Sequence, residues 1–185
     1  MRGLIERYVR EMVKIPSTSN TEMEKNCADY IAEELAKQPY FKEHPEQTGK
    51  YLLPEDSLGR SVPWGLVKGN GGSRKTIILT GHYDVVDTEE YGNERALAYD
   101  VEKWENLEKS GNVLPGMPDE VKEDFLSGDW MFGRGTADMK GGLSVGLVLL
   151  DWLRQRGKLV VWPFLKRRLP LNWGMPLEYP ATSCL

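Results

Sequence analysis

Cysteine is scarce in this 185-residue chain: Cys27 and Cys184 stand far apart and form no CxxC pair. That excludes a disulfide framework and fits a reducing compartment. A basic surplus is also missing, since 24 Lys and Arg face 28 Asp and Glu for a net charge of −4. Nucleic acid is thereby disfavoured as a partner, because phosphates need a positive excess to neutralise them. No apolar run approaches the roughly 20 residues of a bilayer span; the longest covers residues 143–150. Residues 1–7 contain no uncharged apolar stretch, so no secretory leader is expected. No internal repeat is visible. These absences leave a soluble cytoplasmic protein with no membrane partner as the expectation.

What is present is ordinary for one globular domain: 40% apolar and 28% charged residues, with length enough for a core. Leu4, Ile5, Tyr8, Val9, Met12 and Val13 recur at helical spacing, and Pro16 ends that helix. Thr21-Glu22-Met23-Glu24 reads as a capping box. A second helix follows, with Cys27, Ala28, Tyr30, Ile31, Ala32 and Leu35 inward, and Pro39 as its stop. Residues 40–60 read as irregular and 61–68 as a strand. Asn70-Gly71-Gly72-Ser73 is a turn signal before a short apolar strand, 75–80, expected to be buried on both faces. Two strands so joined are expected to pair antiparallel.

Residues 87–128 are acidic and read as a long, solvated connection. Trp130, Met131 and Phe132 are expected in the core. Residues 139–154 carry a strong helical stripe of Leu143, Leu147, Leu150 and Leu153, closed by Gly157, and a strand begins at Lys158. His44, in a polar loop, reads as a solvated residue.

Two motifs carry the chemistry. The apolar strand runs into Gly81-His82-Tyr83-Asp84. Fifty-six residues beyond His82, Asp138 sits in Gly133-Arg134-Gly135-Thr136-Ala137-Asp138-Met139-Lys140-Gly141-Gly142. A neutral imidazole is a good ligand for Zn²⁺ or Co²⁺. Side chains alternate along an extended chain, so Asp84 falls on the same side as His82 and can accept from its other nitrogen. Asp138, in a Gly-rich turn opening a helix, can bridge two cations, and paired metals about 3.5–4 Å apart activate water and polarise carbonyls. Arg134 and Lys140 are read as groups that balance or orient carboxylates. Competing readings are a surface histidine and a bare turn before a helix. A phosphate-cradling nucleotide module is a third, although the GxxxxGK[ST] spacing is absent.

Taken together, LTGHYDVV and FGRGTADMKGG resemble the M20 metallopeptidase/amidohydrolase family over residues 1 to about 162, most closely its arginine-utilisation, RocB-type branch. The resemblance implies a three-layer α/β/α sandwich with a mixed sheet, here truncated. It implies a hydrolase that cleaves amide or peptide bonds in small-molecule or peptide substrates. It implies His82 as ligand of one metal, Asp138 as the ligand bridging two, and Asp84 as the carboxylate that orients His82. The implied metals are two Zn²⁺ per complete site, with Co²⁺ or Mn²⁺ as substitutes.

The family also uses an adjacent Glu pair, one of them the general base, then a further carboxylate and a late His. Here a single acidic residue, Glu178, follows Asp151, and no His follows His82. Residues 163–185 lose both helical and strand period. Back-translating Trp162-Pro163-Phe164-Leu165-Lys166-Arg167-Arg168 and reading from the last base of the Trp codon permits Ala-Phe-Pro-Glu-Glu-Glu. The expectation is therefore an M20-like part over 1–162 and a frameshifted tail over 163–185, with impaired or no activity. The alternative class is a non-catalytic α/β fragment or pseudoenzyme acting as a binding module.

Overall fold

A computed structural model describes residues 1–69, 75–155 and 161–162. The expected turn at 70–73, the Gly157 stop, the strand start at Lys158 and the tail after 162 lie outside them.

Three long helices follow the sequence periodicity. α1 (Arg2–Val13) buries Tyr8, Val9, Met12 and Val13, while Leu4 stays exposed. α2 (Glu24–Lys37) buries Cys27, Ala28, Ile31 and Leu35. The capping box is shifted from its expected form. Glu24 is fully buried and accepts from the N–H of Asn20, one residue before Thr21, at 2.6 Å, while Thr21 Oγ1 accepts from Met23 N–H at 3.3 Å.

Residues 40–60 are more regular than expected. Gln38 turns extended before Pro39, as a residue preceding proline does, and Pro39 then opens α3 (Pro39–Glu43). A 3₁₀ turn, Pro45–Gln47, leads into β1 (Thr48–Leu52). β1 pairs antiparallel with β2 (Ser61–Gly65), Thr48 opposite Gly65 and Leu52 opposite Ser61. The connecting loop is pinned by Arg60, whose guanidinium forks onto Asp56.

β3 (Ile77–Ile78) pairs parallel with β4 (Val161–Trp162). The expected antiparallel pairing of 61–68 with 75–80 is thus corrected: β2 takes β1 and β3 takes β4. The expected burial of β3 on both faces is corrected too, because Ile77 and Ile78 are 47% and 58% exposed.

The acidic stretch is not a plain solvated connection. A 3₁₀ segment (Glu89–Tyr99), α4 (Val101–Lys109) and α5 (Asp119–Ser127) enclose a small core of Leu97, Trp104, Met117 and Phe125. Trp104 meets Phe125 edge-on and lies against Phe132. Asp100 caps α4 by accepting from Lys103 N–H at 3.0 Å, which holds its carboxyl below the usual range. Phe132 and Met131 are partly buried as expected, but Trp130 is 59% exposed. Ion pairs Lys14–Glu102 and Arg10–Glu105 fasten α4 to α1.

After a wide turn (Thr136–Lys140), α6 (Gly141–Gln155) buries Leu143, Leu147 and Leu150. The main core gathers these with Tyr8 and Met12 of α1, Ile31 and Leu35 of α2, and Val67 and Tyr83 from the sheet side. Each such side chain contributes roughly 1.5–3 kcal/mol on burial. The result is a mixed α/β domain with the two motifs at its edge.

Candidate metal centre

The segment 82–85 is held from two sides. Residues 17–19 run parallel to it, bridged at Thr18 and Val85. Val85 N–H donates to Ser17 O at 3.0 Å and Ser19 N–H to Val85 O at 2.9 Å. Ser17 Oγ, fully buried, donates to Tyr83 O at 2.5 Å. From the sheet side the Tyr83 hydroxyl donates to Ser61 O at 2.7 Å, and burial pushes that phenol well above its ordinary range. The alternation that points Tyr83 into the core therefore points His82 and Asp84 the other way.

Two glycines let the motifs touch. A Cβ on Gly81 would stand 2.7 Å from Leu143 Cδ2 and 2.8 Å from Met139 Cε. Gly135 has φ +81°, and a Cβ there would meet Val85 Cγ1 at 2.6 Å. The Asp138–Met139 peptide is cis.

Lys140 anchors the turn. It is fully buried, its N–H donates to Gly135 O at 2.8 Å, and its ammonium donates to Met12 O at 2.9 Å and Ile15 O at 2.8 Å. A cation on Met12 O, in the last turn of α1, suits the helix's negative end. Burial pushes the ammonium down to about 8. Lys140 thus does not orient the site carboxylates, contrary to expectation, because its stem follows the core inward. Arg134 does pair with a carboxylate, but with Glu90 at 2.8 Å, away from Asp138.

His82 Nε2 lies 2.8 Å from Asp138 Oδ1. His82 Nδ1 lies 3.0 Å from the Asp84 backbone oxygen and 3.4 Å from Asp84 Oδ1. The Asp84 carboxylate is thus the longer of two contacts, and its Oδ2 accepts from Ser19 Oγ at 2.8 Å. The structure brings together all three residues that the motifs single out. Ser17 and Ser19 escaped sequence reasoning; the hydroxyl-rich run Pro16-Ser17-Thr18-Ser19 was the available signal. His44, half-exposed and stacked on Tyr40, stays apart from the site.

The donor set fits a cation. Nδ1 and Nε2 both face atoms that only accept, and a neutral ring has one proton for the two of them. With the proton on Nδ1, Nε2 is a lone pair facing the Asp138 carboxylate, and a cation between the two satisfies both. Two ligands of one zinc, each about 2.0–2.2 Å from the ion, stand roughly 3.3 Å apart in tetrahedral geometry. Opening the pair by about half an ångström meets that requirement, and the Asp138 side chain, 87% exposed, has the freedom to move. Among the described residues no group of three or more His, Cys, Asp or Glu forms a metal cage. The fit is therefore to part of a metal shell.

No protein-family model matches the chain. RocB of Bacillus subtilis is 34% identical over 146 residues, 79% of this chain and 25% of RocB. YqjN of the same bacterium, an uncharacterized protein, is 38% identical over 140 residues, 76% of this chain and 24% of YqjN. Among solved structures, the M20 family metallo-carboxypeptidase Sso-CP2 of Sulfolobus solfataricus superposes with a TM-score of 0.52 at 21% identity. That match covers 85% of this chain and 29% of Sso-CP2. The di-peptidase Dug1p of Saccharomyces cerevisiae gives 0.52 at 21%, covering 88% and 32%.

The α/β fold, with a strand-end histidine set against an aspartate in a Gly-rich turn, is the fold of the M20 family. Within it the chain belongs to the RocB-type branch. It spans about a quarter of the length of the curated relatives it matches.

Proposed function

We propose that this chain carries one part of a metal-dependent hydrolase site for amide or peptide bonds. His82 and Asp138 are the metal ligands, with Asp138 in the bridging role, and Asp84 orients His82. The observation behind this is His82 Nε2 standing 2.8 Å from Asp138 Oδ1, with Asp84 on the other ring nitrogen. Zinc is the metal the donor set suits, with Co²⁺ or Mn²⁺ as substitutes. When bound, such ions polarise a carbonyl and activate water.

The chain's own residues have narrower tasks. Asp84 keeps the ring proton on Nδ1, through its backbone oxygen and its carboxylate. His82 presents a lone pair. Asp138 supplies a mobile carboxylate. Two matched ligands hold zinc weakly, since catalytic sites normally use three. The adjacent Glu pair that would supply a general base, worth about 10²–10⁴ in rate, has no matched counterpart in this sequence. Little or no turnover is therefore the reading for this chain by itself. Small-molecule or peptide substrates, a place in arginine utilisation and a cytoplasmic setting belong to the same proposal. Among the described residues no helix is long and apolar enough to cross a membrane.

The experiment is hydrolysis of N-acyl amino acids and small peptides with zinc and with chelator. Chelator-sensitive turnover that zinc restores would establish an active enzyme. A folded chain with neither bound metal nor turnover would favour a binding module. The proposal also assigns residues after about 161 to a shifted reading frame; coding DNA whose codons cannot give Glu-Glu in that frame would overturn it.

A further inference from the structure

Ser19 lies in neither motif, yet it touches the carboxylate behind the candidate ligand. Its hydroxyl donates to Asp84 Oδ2 at 2.8 Å, with Val85 O a second acceptor at 3.1 Å. The backbone around it is fixed independently, by Ser19 N–H to Val85 O at 2.9 Å and Val85 N–H to Ser17 O at 3.0 Å. The segment therefore keeps its place whatever side chain stands at position 19. What the hydroxyl adds is a charge-assisted hydrogen bond to one oxygen of Asp84.

That bond fixes a torsion that is otherwise soft. The terminal rotation of an aspartate is broad, so nothing intrinsic aims its two oxygens. With Oδ2 held by Ser19, Oδ1 is left 3.4 Å from His82 Nδ1. The side chain is 20% exposed, so water competes for it. Ser19 is one of the groups that hold this carboxylate, and losing its bond to Oδ2 loosens the aim of Oδ1.

We propose that Ser19 is a positioning residue that acts through Asp84, holding one carboxylate oxygen so that the other stays turned to His82 and Nε2 stays bare toward Asp138. The inference rests on the reading of His82 and Asp138 as metal ligands.

The test is a double-mutant cycle of Ser19→Ala and Asp84→Ala with two readouts. One is zinc affinity by calorimetry. The other is the His82 tautomer, read without metal from ring ¹⁵N shifts with the imidazole neutral. With two histidines in the chain, a His44→Ala control assigns the signals. Ser19→Ala is expected to weaken zinc binding about threefold to tenfold, at or below the lower edge of what outer-shell carboxylates give. It also shifts the tautomer toward Nε2–H. Ser19→Thr, which keeps the hydroxyl, restores both. Ser19→Cys, of similar shape with a weak donor, behaves like alanine and covers a poorly folding Ser19→Ala. In the Asp84→Ala background Ser19→Ala adds nothing.

Equal effects with and without Asp84, or an unmoved tautomer in Ser19→Ala, overturn the proposal. A wild-type chain that binds no zinc overturns the metal reading instead, and the tautomer then decides the role of Ser19.

Discussion

The two arms of the site are built in opposite ways. His82 and Asp84 stand on a segment whose intervening residue, Tyr83, is locked from both sides by Ser17 and Ser61, and whose carboxylate is held by Ser19. Asp138 stands on a turn that is locked before and after it, by Gly135 against Val85 and by Lys140 in α1, while its own side chain reaches into solvent. One arm is fixed at the functional group and the other at its backbone. A preorganised histidine facing a movable carboxylate can receive a cation without rebuilding the core.

The contrast can be broken from the side that carries most energy. Lys140→Met is expected to cost about 2–4 kcal/mol, because Met12 O and Ile15 O lose a buried donor. Urea unfolding measures it. The same variant tests a pH dependence. Lys140 is held at about 8 in the fold, against about 10.4 unfolded, so between these values the unfolded chain binds more protons. The stability of wild type relative to Lys140→Met is therefore expected to rise from about pH 8 to about pH 10.5. A difference that falls over that window would contradict the burial of this ammonium.

Ser17→Ala comes next, at about 1–2 kcal/mol, since its buried hydroxyl leaves Tyr83 O without that donor. Its thermal melt should drop while zinc affinity changes less than in Ser19→Ala. Asp138→Ala is expected to move stability by no more than about 0.5 kcal/mol, as an exposed substitution does, and still to remove metal binding. An Asp138→Ala chain that unfolds readily would erase the contrast between the arms.

These arms were unequally legible in the sequence. The helical period placed α1, α2 and α6 to within a few residues, and the motif spacing named His82, Asp84 and Asp138. β1 escaped because Thr48-Gly49-Lys50-Tyr51-Leu52 has no apolar alternation; its outer end is exposed. α3 is hidden because Pro39 ends one helix and opens the next, and proline fits the first turn of a helix as well as it stops one. In the acidic stretch, Val101 with Trp104 and Val121 with Phe125 do stand at helical spacing, but the surrounding charge obscured them. Strand pairing is not legible because neighbours in sequence need not be neighbours in the sheet: β1 and β2 close on each other around Asp56 and Arg60. The support from Ser17 and Ser19 spans more than sixty residues of chain, which local spacing cannot reveal.

The claim that His82 and Asp138 form a cation site is tested most directly by zinc titration of the wild-type chain, His82→Ala, Asp138→Ala and a His44→Ala control. The account predicts weak, saturable binding of about one zinc per chain in wild type and in His44→Ala, lost in the other two. Binding that persists without His82, or a folded wild-type chain that takes up no zinc, would contradict it.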